Sequence, residues 1–251
     1  GFSATVYTGT GNGAVPRSIG GVGFQPDWSW LKRRDTADSH ALYDAVRGVT
    51  KRLETNSTGT QATKSAGLTT LGTDGFTLGN ATGNNGSGSF ASWNWKANGS
   101  GSANTTGSIN STVSVNTDAG FSIVSYAATG SNATVGHGLS KVPEMIIIKN
   151  RTIQTNWPIY HHKNTSAPET DYIKLDTTAA TADNATFWND TAPTSSVFTI
   201  GTDGDVNQSG SNMIAYCFHS VDGYSKVGSM ESNNSTDGTF VYLGFQPKFV
   251  F

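Results

Sequence analysis

The chain has 251 residues, of which only 14% are charged, and its net charge is −2. It has no basic stripe of the kind that nucleic-acid binding requires, and its longest apolar run, MIIIK, is far too short to cross a bilayer. We therefore expect neither nucleic acid nor a membrane as a partner. Glycine is abundant, and Ser and Thr together make up about a quarter of the residues, so turn and β-branched residues outnumber helix formers. This composition predicts an all-β protein.

The predicted elements are short β-strands, because runs rich in Val, Ile, Tyr and Phe are bounded by Gly, Asn, Asp and Ser. The first candidate, SHALYDAVRGV (39–49), fits a short helix or a strand, and we favour strand or irregular structure. The strands predicted after it are STVSVN (111–116), FSIVSY (121–126), EMIIIK (144–149), DYIKLD (171–176), SVFTI (196–200), MIAYCFH (213–219) and TFVYLGF (239–245). Their spacing is typical of antiparallel β-sandwiches and jelly rolls.

An internal repeat divides the chain. GFSATVYTGTGN, starting at Gly1, matches GFSIVSYAATGSN, starting at Gly120, and more weakly GYSKVGSMESNN, starting at Gly223. Each copy leads to a proline that opens a predicted strand, since proline cannot donate to a sheet ladder; these are Pro26, Pro143 and Pro247. The repeat predicts a first β module at 1–119, a second at 120–222, and at 223–251 the start of a third repeat or an inter-subunit strand segment.

The repeat also predicts which residues are equivalent and which are buried. It places Tyr43 on Tyr160 and Phe76 on Phe198. In the strand after each proline, we expect the apolar run Ile146–Ile148 to lie inside. The charged end of that strand, at Lys149, should be exposed.

The repeated segments resemble modules of tail-fibre-like and other large structural proteins of marine phages and related environmental sequences. The resemblance rests on GFSIVSY with the following LSKVPEMIIIKNR, on SSVFTIGTDGDVNQSGSNMIAYCFH, and on GYSKVGSM with the following DGTFVYLGFQPKFVF. It implies lectin-like β-sandwich modules and a structural role in an extracellular or virion fibre. It supplies no catalytic residue, and no pattern in the chain suggests an enzyme, so we expect none.

One stretch has the spacing of cation ligands. TDGDVNQSG places Asp203, Asp205 and Asn207 in a D-x-D-x-N pattern, and alternating oxygen ligands suit calcium. The Glu of an EF-hand loop is missing, because Ile214 stands at its position. An ordinary Asp-Gly turn explains the pattern as well. Calcium is therefore the one cofactor for which the sequence offers ligands.

Two tryptophan pairs, Trp28/Trp30 and Trp93/Trp95, have the spacing that puts both side chains on one face of a strand. Such a face is either a platform for sugar rings or a core between two sheets. The repeat partners of these tryptophans are apolar without being tryptophan, which favours the core.

Asparagine occurs unusually often in N-x-Ser/Thr sequons, which predict glycosylation where they are exposed and the host glycosylates. Asn, Ser and Thr also crowd together in turns for purely local reasons. The candidates are Asn56, Asn80, Asn85, Asn98, Asn104, Asn110, Asn132, Asn150, Asn164, Asn184, Asn189, Asn207, Asn233 and Asn234.

Function is predicted from the partial third repeat. A strand without the rest of its module needs a partner, which a neighbouring unit provides through β-strand addition. We expect a head-to-tail homopolymer or a longer tandem array, with assembly residues Phe240, Tyr242, Phe245, Pro247, Phe249 and Phe251. The alternative is a lectin-like module that binds surface polysaccharide for host recognition.

Overall fold

The computed structural model describes residues 1–11 and 16–251, and it is all-β, as predicted. The first half contains β1 (Phe2–Thr8), β2 (Arg17–Ile19), β3 (Trp28–Arg33), β4 (Ala41–Asp44), β5 (Lys51–Arg52), β6 (Ala62–Thr63), β7 (Leu68–Gly72), β8 (Gly75–Leu78) and β9 (Ser89–Trp95). The remaining strands are β10 (Ser102–Asn104), β11 (Ser111–Asn116), β12 (Phe121–Ala127), β13 (Ala133–Gly136), β14 (Met145–Asn150), β15 (Pro158–His161), β16 (Asp171–Lys174), β17 (Ala182–Asp183), β18 (Val197–Ile200) and β19 (Asn212–Phe218).

Helical segments are single turns between strands. They are α1 (Thr82–Asn85), a 3₁₀ turn (Thr117–Ala119), α2 (Ala185–Trp188) and α3 (Gly204–Asn207). Within the described ranges, no helix has the length and apolar character needed to span a membrane. The stretch 39–49 forms strand β4 followed by a turn, in agreement with the preferred interpretation.

The sheets form four layers. Two large antiparallel sheets, β1-β9-β3-β4 and β10-β11-β12-β19-β14-β15-β16-β17, pack face to face in the middle. The small sheet β2-β8-β7 covers the outer face of the first large sheet, and β13-β18 together with α2 covers the outer face of the second. The remaining strands, β5 and β6, pair with each other in a short two-stranded sheet. Three apolar cores therefore separate four layers.

Strand β14 contributes to two cores, because successive side chains along the strand point to opposite faces of the sheet. Ile146 and Ile148 belong to the outer core, Ile147 belongs to the central core, and all three are buried as predicted. A strand covered on both faces has a continuous apolar run, which is the pattern of MIIIK. The prediction for Lys149 is wrong, because this side chain is fully buried.

Lys149 tolerates burial because its ammonium group has local partners. It donates hydrogen bonds to the carbonyl oxygens of Thr58, at 2.9 Å, and of Thr155. It also lies 5.6 Å from the ring centre of Trp157, within the range of a cation–π contact. Burial nevertheless lowers the pKa of Lys149 to about 8, since a charge in an apolar site is disfavoured.

The two large sheets share strand order and register. In the first, Phe2 lies opposite Trp95, which lies opposite Trp28. In the second, the corresponding row runs from Phe121 through Phe218 to Met145. The outer pairs match as well: Phe76 lies opposite Ile19 in β8-β2, and Phe198 lies opposite Val135 in β18-β13.

The sheets differ at both edges, because β16 and β17 extend the second large sheet beyond β15, and β10 and β11 extend it beyond β12. Strands β10 and β11 precede Gly120 in the chain but pair onto β12, so the second large sheet takes two strands from within residues 1–119. Strand β1 stands at the corresponding edge of the first sheet and has no neighbour there among the described strands. On this strand Val6 is 67% exposed, whereas the next residue, Tyr7, points to the opposite face and is buried in the outer core.

A buried polar cluster connects the two large sheets. Asp44 and Arg47 form an ion pair with both side chains fully buried, and the Tyr216 hydroxyl donates to Asp44 Oδ2 at 2.7 Å. The Arg47 guanidinium also donates to the carbonyl oxygens of Leu42, at 3.1 Å, and Lys51, at 2.8 Å. The cluster thus joins Asp44 and Arg47, from the first large sheet and the turn after it, to Tyr216 of the second large sheet.

The predicted strand TFVYLGF (239–245) does not form. Residues 226–251, which we call the C-terminal segment, contain no strand or helix. The segment is attached near its start, where the Val227 N–H donates to Ser220 Oγ at 2.9 Å. Pro26 and Pro143 each lie two residues before a strand, whereas Pro247 is followed by none.

Candidate assembly surface

Strands β1, β9 and β3 place a ladder of aromatic rings on one face of the first large sheet. Ring centres of Phe2 and Trp95 are 4.7 Å apart, and those of Trp95 and Trp28 are 4.5 Å apart. In the next row, Trp93 and Trp30 are 6.1 Å apart. Residues directly opposite on neighbouring strands meet in this way because alternate side chains share a face.

The ladder is covered unequally. Trp28 is 3% exposed and packs against Phe121, Tyr216 and Phe218 of the second sheet. Phe2, Trp93 and Trp95 are only partly buried, because they lie toward the rim of the interface. A rim of partly covered aromatic rings is a surface that gains free energy from a further apolar partner.

The C-terminal segment supplies that partner within the same chain. The Phe249 ring lies 5.5 Å from Trp93, 5.6 Å from Trp95 and 5.8 Å from Phe2. The Phe251 ring lies 5.6 Å from Trp30. Offset and edge-on arrangements at these separations are favourable for aromatic pairs.

A cavity of about 380 Å³ runs beside this contact. We call it the aromatic groove. It is bounded by the C-terminal residues Phe249, Val250 and Phe251 on one side, and on the other by Trp30, His40, Thr55, Asn56, Trp93 and Leu175. The Trp30 indole N–H donates to His40 Nδ1 at 2.8 Å, which fixes both rings. Burial, together with the nearby positive charge of Lys32, lowers the pKa of His40 and favours the neutral ring that this bond requires.

The predicted assembly residues fall into two groups. Phe249 is half-buried and Phe251 is 59% exposed, and both touch the ladder. Phe240 and Tyr242 are 85% and 74% exposed, while Phe245 is half-buried and Pro247 is exposed. Of the nine large apolar side chains that are exposed in the described ranges, six belong to the C-terminal segment: Met230, Phe240, Val241, Tyr242, Val250 and Phe251.

The comparisons with known proteins place this architecture in a family. A family model described as Domain of unknown function (DUF7483) matches residues 1–251. The chain belongs to the DUF7483 family. No curated protein and no solved structure matches it.

In this DUF7483 chain, the stretch with calcium-like spacing forms a helical turn instead of an open loop. Asp203 caps α3 by accepting from the Asp205 N–H at 2.8 Å. Asp205 is 3.9 Å from Lys174, and burial, with the nearby Asp203 charge, raises its pKa. Across the described ranges, no three His, Cys, Asp or Glu side chains are grouped where they could hold a metal ion.

Asn207, the third proposed calcium ligand, is committed to other bonds. Its side-chain NH₂ donates to the carbonyl oxygens of Ser131 and Gly201, each at 2.7 Å. Its side-chain oxygen accepts from the N–H groups of Thr129, at 2.8 Å, and Gly130, at 3.3 Å. All four hydrogen-bonding positions of the carboxamide are used, so it closes the loops around α3 and is unavailable to a cation.

The first half of the DUF7483 chain contains a matching asparagine. Asn85, at the end of α1, donates to the Gly79 carbonyl at 3.0 Å and accepts from the Thr10 N–H at 3.1 Å. These partners are the counterparts of Gly201 and Thr129 in the repeat. The stretch that resembled a calcium loop therefore contains one of two corresponding asparagines, Asn85 and Asn207, whose side chains join neighbouring loops by hydrogen bonds. We call each of them an asparagine clasp.

The sequons divide by burial. Asn85, Asn150 and Asn207 are fully buried, so a glycan on them is incompatible with the packing, contrary to the sequence prediction. Asn104, Asn164 and Asn184 are half-buried. The exposed candidates are Asn56, Asn80, Asn98, Asn110, Asn132, Asn189, Asn233 and Asn234.

Sequence reasoning found the tryptophan ladder but not the groove beside it. The W-x-W spacing of Trp28/Trp30 and Trp93/Trp95 indicated one face, and both members of the first pair are in the central core. His40 gave no signal, because its role depends on strand β4 lying beside β3. The contact of Phe249 with the ladder could have been predicted, because GFQPKFVF repeats GFQPDWSW and so places Phe249 at the position of Trp28.

Proposed function

We propose that this chain is a structural subunit of an extracellular or virion fibre, and that its C-terminal segment makes contacts between successive units. The observation that carries the proposal is the concentration of exposed apolar side chains in residues 226–251, a segment whose backbone forms no strand or helix. An apolar surface of this kind is typical of a protein–protein contact.

The common strand order supports a modular subunit. We infer that residues 1–119 and 120–222 are two copies of one β module and that 223–251 begins a third copy. The matching rows Phe2–Trp95–Trp28 and Phe121–Phe218–Met145 favour this reading, as do the two asparagine clasps. Modules that pack sheet against sheet extend by stacking, so each additional unit requires an exposed apolar face to receive it.

The lectin-like alternative has less support. The Trp28 and Trp30 rings are 3% and 7% exposed, so neither offers a flat platform to a sugar ring. Trp93 is more accessible, but Phe249 packs against it.

Sedimentation velocity and electron microscopy test the fibre proposal. The full chain is expected to form filaments as its concentration rises, and a chain lacking Gly238–Phe251 is expected to remain a single soluble species. A chain with Val142→Ser is the matched control, because Val142 is 46% exposed but lies outside the segment and outside the strands of the ladder. The proposal fails if the shortened chain forms the same filaments, or if the full chain stays monomeric at every concentration.

A further inference from the structure

We propose that the aromatic groove is an acceptor site for Phe249 and Phe251 from the C-terminal segment of a second copy of this chain. The inference rests on the proposed function and identifies the surface that receives the segment. Its starting point is the contact within one chain, where Phe249 touches Phe2, Trp93 and Trp95 and Phe251 touches Trp30. The same contacts are available to any copy whose segment reaches the groove.

The repeat specifies why this pair of rings fits. GFQPKFVF aligns with GFQPDWSW, which places Phe249 on Trp28 and Phe251 on Trp30. Trp28 and Trp30 project from one face of β3 into the central core between the two large sheets. An aromatic pair at i and i+2 packed against an aromatic face is therefore the contact that already holds the two halves together. Phe249 and Phe251 repeat it at the rim.

The contact within one chain is incomplete. Phe251 remains 59% exposed and the intervening Val250 remains 80% exposed. No strand or helix forms between the anchor at Val227 and Phe249 in the described structure. A single chain thus satisfies the groove only in part, and little backbone structure has to be broken to release the segment.

The length of the segment permits exchange between copies. Val227 and Phe249 are 22 positions apart, and an extended chain of this length spans up to roughly 70 Å at ~3.3 Å per residue. Exchange of an identical element is a low-cost route to association. Because the segment and the groove are different surfaces, the contact is head-to-tail and builds an open filament unless the geometry closes a ring.

Cross-linking between two variants, each with one introduced cysteine, tests the exchange in the full chain. Asn56→Cys marks the groove and Val250→Cys marks the segment, because both residues line the groove and are exposed, and neither change removes an aromatic ring of the contact. The native Cys217 is fully buried, and burial raises the pKa of its thiol to about 12, so it does not compete for a short bis-maleimide. A mixture of the two variants is expected to yield a cross-linked dimer, because each marked pair then lies in different molecules. A mixture of Asn56→Cys with Tyr242→Cys is the matched control and should yield much less, because Tyr242 is exposed but does not line the groove.

A binding measurement covers the case in which a cysteine variant folds poorly. The acceptor is the full chain carrying Phe249→Ser and Phe251→Ser, and the ligand is the synthetic peptide GFQPKFVF. Tryptophan fluorescence is expected to change on binding, because Trp30 and Trp93 line the groove. The peptide with both phenylalanines replaced by serine should bind at least about tenfold more weakly, given the apolar area of two rings.

The outcomes separate this inference from the proposed function. Dimers from the Asn56/Val250 mixture and phenylalanine-dependent peptide binding support the acceptor site. If filaments form but neither result is obtained, the groove is not the acceptor and the inference is overturned while the fibre function stands. If the peptide binds but the full chain never associates, exchange between copies is refuted together with the fibre function.

Discussion

The substitution Asp44→Asn is expected to destabilise the chain by about 3–5 kcal/mol, because it leaves Arg47 as a buried charge without a counter-ion. Both side chains of the pair are fully buried. The asparagine oxygen can still accept from Tyr216, which donates to Asp44 Oδ2 at 2.7 Å. The loss therefore comes mainly from the guanidinium group, whose remaining partners are carbonyl oxygens.

Urea unfolding followed by tryptophan fluorescence measures the effect, with Asp38→Asn as the control. Asp38 pairs with Arg33 at 3.3 Å but is 39% exposed, and exposed pairs contribute roughly 0–1 kcal/mol. Adding Arg47→Met to Asp44→Asn should recover part of the stability, since the unpaired charge is then gone. If Asp44→Asn costs no more than Asp38→Asn, the buried pair does not stabilise the junction of the two sheets and the reasoning is refuted.

Three further predictions concern other buried groups. The pKa of Lys149 is about 8 in the folded chain and 10.5 when unfolded, so the folded state releases its proton first. Relative to Lys149→Met, the stability of the intact chain should therefore rise between pH 8 and 10.5, by at most about 1.4 kcal/mol per pH unit; Lys141→Met, at an exposed site, should show no such trend in urea unfolding. Asn207→Ala should cost about 2–4 kcal/mol through the unpaired backbone groups that it leaves. The exposed Asn98→Ala is the control, and its effect is expected to be within about 0.5 kcal/mol. Cys217 should react with a maleimide only after denaturation, and rapid labelling of the native chain would contradict its burial.

Patterns within a strand were enough to predict much of the fold. The alternating and continuous apolar runs gave β11, β12, β14, β18 and β19, because side-chain burial repeats along a strand with a period of two. The run TFVYLGF has the same composition and forms no strand. Strand formation requires a neighbouring edge with free N–H and C=O groups, and composition carries no information about that edge.

At the candidate site, too, local patterns predicted what lies within one strand, but not the contacts between distant parts of the chain. Tryptophan spacing indicated the aromatic face correctly, since it depends only on local geometry. Burial of Lys149 was missed because its partners, the carbonyls of Thr58 and Thr155, converge from other parts of the chain. At Asn207 the D-x-D-x-N spacing fits a calcium ligand as well as an ordinary turn, because a pattern of oxygen ligands is visible in the sequence, whereas the backbone groups that bind the Asn207 carboxamide are not.

The shared central core has a consequence for synthesis on the ribosome. Trp28 packs against Tyr216, and about 190 residues must be translated between them, which takes on the order of 10–40 s at ~5–20 residues per second. Once β9 has been translated, the first large sheet can form, and it then presents its tryptophan face without the sheet that covers it. A nascent chain that stalls or is cut in this window exposes an aromatic surface suited to chaperone capture or aggregation, so the two halves must be made and retained together.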